Sequence, residues 1–163
     1  LDTIRKIIEE TSLSIEFNID FQYLPDGRLF VDLDLPEIEN FPMKKASLLS
    51  SGKISIKEKT EKELKDDYAT SVCGLVFYFA GIFFNISPTI KEIIISGYTQ
   101  RISLKTGNIE DVYILSVIFN RELFGKINYQ NINPILALEN FEHRINITSR
   151  FEMKPIEPFQ ANI

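Results

Sequence analysis

Every position from Val72 to Phe84 is apolar, a run reading Val-Cys-Gly-Leu-Val-Phe-Tyr-Phe-Ala-Gly-Ile-Phe-Phe. A bilayer span takes roughly 20 such residues, so a shorter run reads as the inner half of a buried core helix. The start of that helix is written just upstream. Thr60-Glu61-Lys62-Glu63 has the form of a capping box, and Glu61 and Glu63 place negative charge at the positive end of the helix dipole. Leu64, Tyr68, Val72, Leu75 and Phe79 then recur every three or four residues, which marks one face of a helix. After Thr70 the polar face disappears, so the second half is expected to be covered on most sides. Asn85 and Ser87-Pro88 end the element, giving a helix over about 61–84. Gly74 and Gly81 weaken a helix, and their expected use is to admit another backbone at close range.

Elsewhere the period changes from helix to strand. Residues 2–11 carry Ile4, Ile7 and Ile8 between charges, a short amphipathic helix. From Ser14 to Tyr23 the chain alternates, with Ile15, Phe17, Ile19, Phe21 and Tyr23 on one side. Leu24-Pro25-Asp26-Gly27 supplies a turn, and Leu29, Val31, Leu33 and Leu35 alternate with Phe30, Asp32 and Asp34. These two runs predict an antiparallel hairpin with one buried and one wet face. Within residues 36–59, Ile54 and Ile56 read as a short third strand, the alternative being that the whole segment is a mobile excursion.

After the helix, residues 92–102 and 112–120 read as strands joined by a turn at Thr106-Gly107-Asn108. In the second strand, Val112, Ile114 and Ile118 fall on one face and Tyr113, Leu115, Val117 and Phe119 on the other. Apolar residues on both sides place it inside the sheet. Its second cover is expected from two short helices capped by Asn120 and by Asn133 with Pro134. The pattern predicts one α+β domain over residues 1–150: a mainly antiparallel sheet of four to five strands packed on the long helix, with short flanking helices. Residues 151–163, with Pro155 and Pro158, read as an extended or mobile tail.

Composition narrows the function. A net charge of −5 and lysines that alternate with glutamates between 53 and 65 give no basic stripe for a phosphate backbone, so nucleic acid is not an expected partner. Cys73 is the sole cysteine, which excludes an internal disulfide and a cysteine-built zinc cluster, and fits a reducing, cytoplasmic setting. No signal peptide or membrane span is read, and a first residue of Leu1 suggests a segment of a larger, bacterial protein. Asn85-Ile86-Ser87 and Asn146-Ile147-Thr148 match the glycosylation pattern, as chance allows in an Asn-rich chain.

The candidate chemistry is sparse. Asp32 and Asp34 lie two apart on a strand and so share a face, near Glu37 and Glu39. Paired carboxylates hold hard cations, and a metal-dependent phosphodiesterase or nuclease would use Asp32 and Asp34. Such a site needs a neighbouring Glu-x-Lys on a strand, and Glu63-x-Lys65 falls on the helix instead. The preferred reading is that these acids solvate the open face of a hairpin. His143 is the lone histidine and has no nucleophile signature to serve. Tyr98 and Arg101 end a strand with hydrogen-bonding groups, and Arg101 could clasp a carboxylate or phosphate. Tyr98, Arg101 and His143 are thus the binding candidates. No glycine-rich phosphate cradle is present and no cofactor is expected. The aromatic residues read as core before any base-stacking platform.

The expectation is therefore a non-catalytic interaction domain that contacts a protein partner or the remainder of its own chain, with a homodimer through a strand edge as one form of that contact. A membrane is not an expected partner. The alternatives are the Asp32–Asp34 hydrolase and a small-molecule binding domain with an aromatic-lined cavity.

Overall fold

The computed structural model describes residues 18–161. The amphipathic segment read over residues 2–11, and the first half of the alternating run before Asn18, lie outside the described residues. Strands β1 (Ile19–Tyr23) and β2 (Arg28–Asp34) form the expected hairpin. After β2 come a 3-10 turn at Ile38–Asn40, β3 (Lys44–Leu48) and β4 (Ile54–Glu58). Helix α1 (Glu61–Ile86) follows, then β5 (Glu92–Ile102), β6 (Ile109–Asn120), the short helices α2 (Arg121–Gly125) and α3 (Pro134–Ala137), a second 3-10 turn at Leu138–Asn140, and β7 (Glu142–Ile145). The fold is α+β. Five strands make a mixed sheet in the order β1-β2-β5-β6-β7, and β3 and β4 make a separate two-stranded sheet.

One pair in the large sheet departs from the antiparallel pattern. β2 and β5 run parallel, from Arg28 beside Glu92 to Asp34 beside Tyr98. A parallel pair needs a crossover, and α1 supplies it. The capping box forms as read: Thr60 Oγ1 accepts from the Glu63 N–H at 3.2 Å, and Glu63 Oε2 accepts from the Thr60 N–H at 2.8 Å. The buried face of α1 includes Val72, Cys73, Val76, Phe79, Ala80 and Phe83, and joins one core with Leu29, Leu33, Ile93, Ile95, Leu115 and Val117 of the sheet. Only a stripe at Ser71, Tyr78 and Asn85 is exposed in its second half. By length and composition α1 could cross a membrane, but in this fold it is the core helix. Burial pushes the Cys73 thiol up to about 12, which leaves it an inert core side chain.

Three sequence expectations are corrected. Among the described residues, what approaches Gly74 and Gly81 from other segments is the side chains of Pro134 and Phe124, each 3.7 Å from where a Cβ would sit, and not a backbone. The faces of β6 are not continuous along its length. The register skips between Gly97 and Tyr98, so that Gly97 pairs with Leu115 while Tyr98 pairs with Tyr113, leaving Ile114 as the extra residue of a bulge. Upstream of the bulge parity reverses: Val112 shares the core face with Leu115 and Val117, and Tyr113 joins Ser116 and Ile118 on the opposite face.

The third correction concerns the cover on that opposite face. The short helices pack on the α1 side instead. The Phe124 ring lies 5.1 Å from that of Phe84 and 5.7 Å from that of Phe119. What crosses the open face is the chain after β7. The Ile156 N–H donates to the Tyr113 carbonyl at 2.9 Å and the Phe159 N–H to Ser116 Oγ at 3.1 Å. Arg144 donates to the Glu157 carbonyl at 3.0 Å and holds its guanidinium 4.2 Å from the centre of the Phe159 ring.

At the β1–β2 turn Gly27 has φ of +91°, and a Cβ there would sit 2.9 Å from the Thr89 carbonyl oxygen. A residue without a side chain lets the turn dock against the start of β5, where the Lys91 N–H donates to the Gly27 carbonyl at 2.8 Å.

Candidate functional site

Two regions present chemistry: the open face of the large sheet and the β3–β4 hairpin. Alternation along the strands puts Asp20, Gln22, Phe30, Asp32, Asp34, Ser96, Tyr98 and Tyr113 on the open face. Asp20 and Asp32 are directly opposite across β1 and β2, and Asp34 is beside Tyr98. Burial, with smaller contributions from the Asp20 and Asp111 charges, raises the Asp32 carboxyl above its ordinary value, against a hydrogen bond from the Tyr113 hydroxyl. The same surroundings act on the phenols. Burial and then Asp32 push Tyr113 up to about 12, and Tyr98 is raised by burial and by Asp34, Asp111, Asp20 and Asp32. The two rings meet edge to face at 5.6 Å. Ser96 and Ser116 are buried beneath and share a hydrogen bond of 2.8 Å.

The tail roofs a cavity of about 340 Å³ lined by Phe30, Asp32, Ser96, Tyr113 and Phe159 among others. Its size falls at the lower end of small-ligand sites.

The sequence candidates are only partly brought together. Asp32, Asp34 and Tyr98 share the open face. Arg101 falls on the other side, where its Nε donates to Thr99 Oγ1 at 3.3 Å and it lines a separate cavity with Glu37, Lys65 and Tyr68. His143 sits opposite Val117 on the core side, its Nδ1 2.8 Å from the Phe141 carbonyl oxygen. Among the described residues, no group of three or more His, Cys, Asp or Glu side chains is placed to hold a metal ion. Asp32 and Asp34 share one face of β2 as read from the sequence, and among the described residues they belong to no such group.

The β3–β4 hairpin is built differently from the rest. Its strands pair Lys44 with Glu58, Ala46 with Ile56 and Leu48 with Ile54 on one face. Lys45, Ser47, Ser55 and Lys57 occupy the other. The Lys59 N–H donates to the Met43 carbonyl at 2.8 Å, Lys59 pairs with Asp67 at 2.8 Å, and Lys45 pairs with Glu63. These contacts tie the base to the first turns of α1, and the rest projects as an arm. Leu48, Ile54 and Ile56 are 77%, 71% and 68% exposed, although they lie together on one face. No family model, curated protein or solved structure matches this chain.

Two further features set the arm apart. Between Met43 and Lys59 there are five lysines against the single acid Glu58, a local charge of +4 within a chain of −5. A two-stranded hairpin with nothing across its apolar face is marginal in water. Sequence reasoning read only Ile54 and Ile56 as strand. The signal for the partner strand was present in Ala46 and Leu48, spaced two apart before Ser50-Ser51-Gly52, a loop of hairpin length whose Gly52 adopts φ of +80°.

The raised Asp32 carboxyl has a measurable consequence. The folded form holds the proton more tightly than the unfolded chain, so Asp32 costs stability as pH climbs from its ordinary value of 3.8 through the raised one, and costs nothing below both. Asp32→Asn keeps an acceptor for Tyr113 and removes the charge. Thermal unfolding is expected to show a higher Tm than the parent at pH 7, a gain that vanishes in acid below the ordinary carboxylate value. An equal gain at both pH values would mean that the charge is not the cause.

Proposed function

We propose that this protein is a non-catalytic contact domain whose β3–β4 arm docks a protein partner. The observation that carries the reading is the apolar face of Ala46, Leu48, Ile54 and Ile56, held out from the body on a lysine-rich hairpin. Fully covering an aliphatic side chain contributes about 1.5–3 kcal/mol, so three such residues on one face form a compact anchor. The lysines around it favour an acidic counterpart. Among the described residues, the carboxylates of the open sheet face belong to no group of three side chains placed to hold a metal ion.

Photo-crosslinking in the native host tests the reading. A benzophenone amino acid at Leu48 or Ile54 is expected to give a discrete protein adduct, identified by mass spectrometry. The same group at Leu104, which is exposed at the β5–β6 turn, gives none. Absence of adducts at Leu48 and Ile54, or an identical adduct from Leu104, would overturn the assignment of the arm.

A further inference from the structure

The reading of the arm as a docking element leaves its counterpart open, and the chain itself carries a surface that fits. Strand β1 closes one edge of the large sheet and, among the described residues, has a neighbour only on its β2 side. Its side chains are sorted by face. Ile19, Phe21 and Tyr23 lie on the helix side and are half-buried or exposed, while Asp20 and Gln22 point to the open face. The arm is sorted in the same way, with Ala46, Leu48, Ile54 and Ile56 on one face and Lys45, Ser47, Ser55 and Lys57 on the other.

Laid edge to edge, the two elements match on both faces at once. The arm's aliphatic face extends the layer of Ile19, Phe21 and Tyr23. Its other face then sets Lys57, with Lys45 beside its pairing to Glu63, level with Asp20 and the neighbouring Asp32. Lengths agree as well, since β1, β3 and β4 are each five residues long. The arm's +4 leaves −9 on the rest of a chain totalling −5, so one copy's arm and another copy's body attract. Two arms brought face to face would instead repel. Within one chain the arm is not paired with β1: its base is bonded to α1 and it forms a sheet of its own.

Resting on the arm being a contact element, we infer that its partner is a second copy of this chain: the β3–β4 arm of each protomer adds to the β1 edge of the other. The result is a closed, twofold dimer with both edges matched by strand addition. Lys57 and Asp20 are the charged pair that sets its register.

Sedimentation velocity of the full chain over a micromolar to near-millimolar range tests this. The weight-average mass is expected to rise from 18.8 kDa toward twice that value, and to rise less at high salt. Lys57→Asp and Asp20→Lys are exposed changes, and circular dichroism verifies that each variant folds. Each alone is expected to weaken the dimer about tenfold or more, which corresponds to 1.4 kcal/mol. Mixing the two variants restores both interfaces of the dimer, one with the native Lys57–Asp20 pair and the other with the charges exchanged. A chain that stays monomeric throughout, or a dimer that neither reversal weakens or that the mixture fails to restore, overturns the inference. A monomer whose Leu48 cross-links to a different protein rejects the second copy and leaves the docking role of the arm standing. Without cross-links at the arm, both fall.

Discussion

Phe119→Ala is expected to lower the unfolding free energy by about 3–5 kcal/mol, the range for emptying a large aromatic site in a core. Phe119 has no exposed surface, and its ring is met edge to face by Phe77 at 5.2 Å, Phe124 at 5.7 Å and Phe141 at 4.9 Å. Those three rings come from α1, α2 and the residue just before β7, so this side chain joins the helix, the sheet and the flanking segment. Loss of the ring removes its transfer energy and leaves a void bordered by groups fixed to three separate elements, which limits collapse. Small domains have about 5–15 kcal/mol in total, so the variant sits near the edge of folding. Urea titration is the measurement. The midpoint should fall with an unchanged slope, and a loss under about 1 kcal/mol would mean that the ring cluster is not a closed unit.

Arg121→Ala is the second large expectation, at about 2–3 kcal/mol, the cost of leaving buried acceptors without a charged donor. The Arg121 side chain reaches back to the end of α1. Its Nε donates to the Ile90 carbonyl at 2.6 Å, and Nη2 donates to the Phe84 and Ser87 carbonyls at 2.9 and 2.5 Å. The guanidinium also lies over the Phe84 ring at 4.7 Å. A helix leaves its last carbonyls unpaired and negative, and here one planar cation serves them together with the segment that leads into β5. Arg121→Lys is expected to recover less than half of the loss, because an ammonium has neither the fork nor the stacking plane. Full recovery by lysine would show that charge alone suffices. Chemical denaturation of the three proteins side by side settles the matter.

Much of this architecture was legible because its signals are local. The capping box at Thr60–Glu63, the β1–β2 turn at Pro25-Asp26-Gly27 and the caps at Asn120 and Asn133 each depend on a few adjacent residues, and each formed where it was read. What escaped depends on partners distant in the chain. The parallel pairing of β2 with β5 needs the crossover to be known first. Arg121 looked like an ordinary first-turn residue, since its acceptors lie 31 to 37 positions upstream. The bulge at Ile114 is set by the β5 register and leaves no mark in the alternation of β6, so Tyr113 was assigned to the wrong side. For the candidate site, the sequence marked Asp32 and Tyr98 as polar positions on strands. It could not show that Asp20 and Asp111 would join them, because face-sharing across strands is a property of register. Of the arm, only β4 was read, from Ile54 and Ile56; β3 was missed because Ala46 and Leu48 are just two apolar positions set among Lys44, Lys45 and Ser47.

The parallel pair also bears on how the chain is made. Neighbours in the finished sheet, β2 and β5 are held apart in the chain by the arm and the whole of α1. As the polypeptide leaves the ribosome, the β1–β2 hairpin and the greasy helix emerge before β5 and β6, the strands that complete the helix's shelter. Until then Val72 to Phe84 has too little sheet to rest on. The nascent protein passes through an interval of vulnerability to aggregation, and chaperone capture is most useful during that interval.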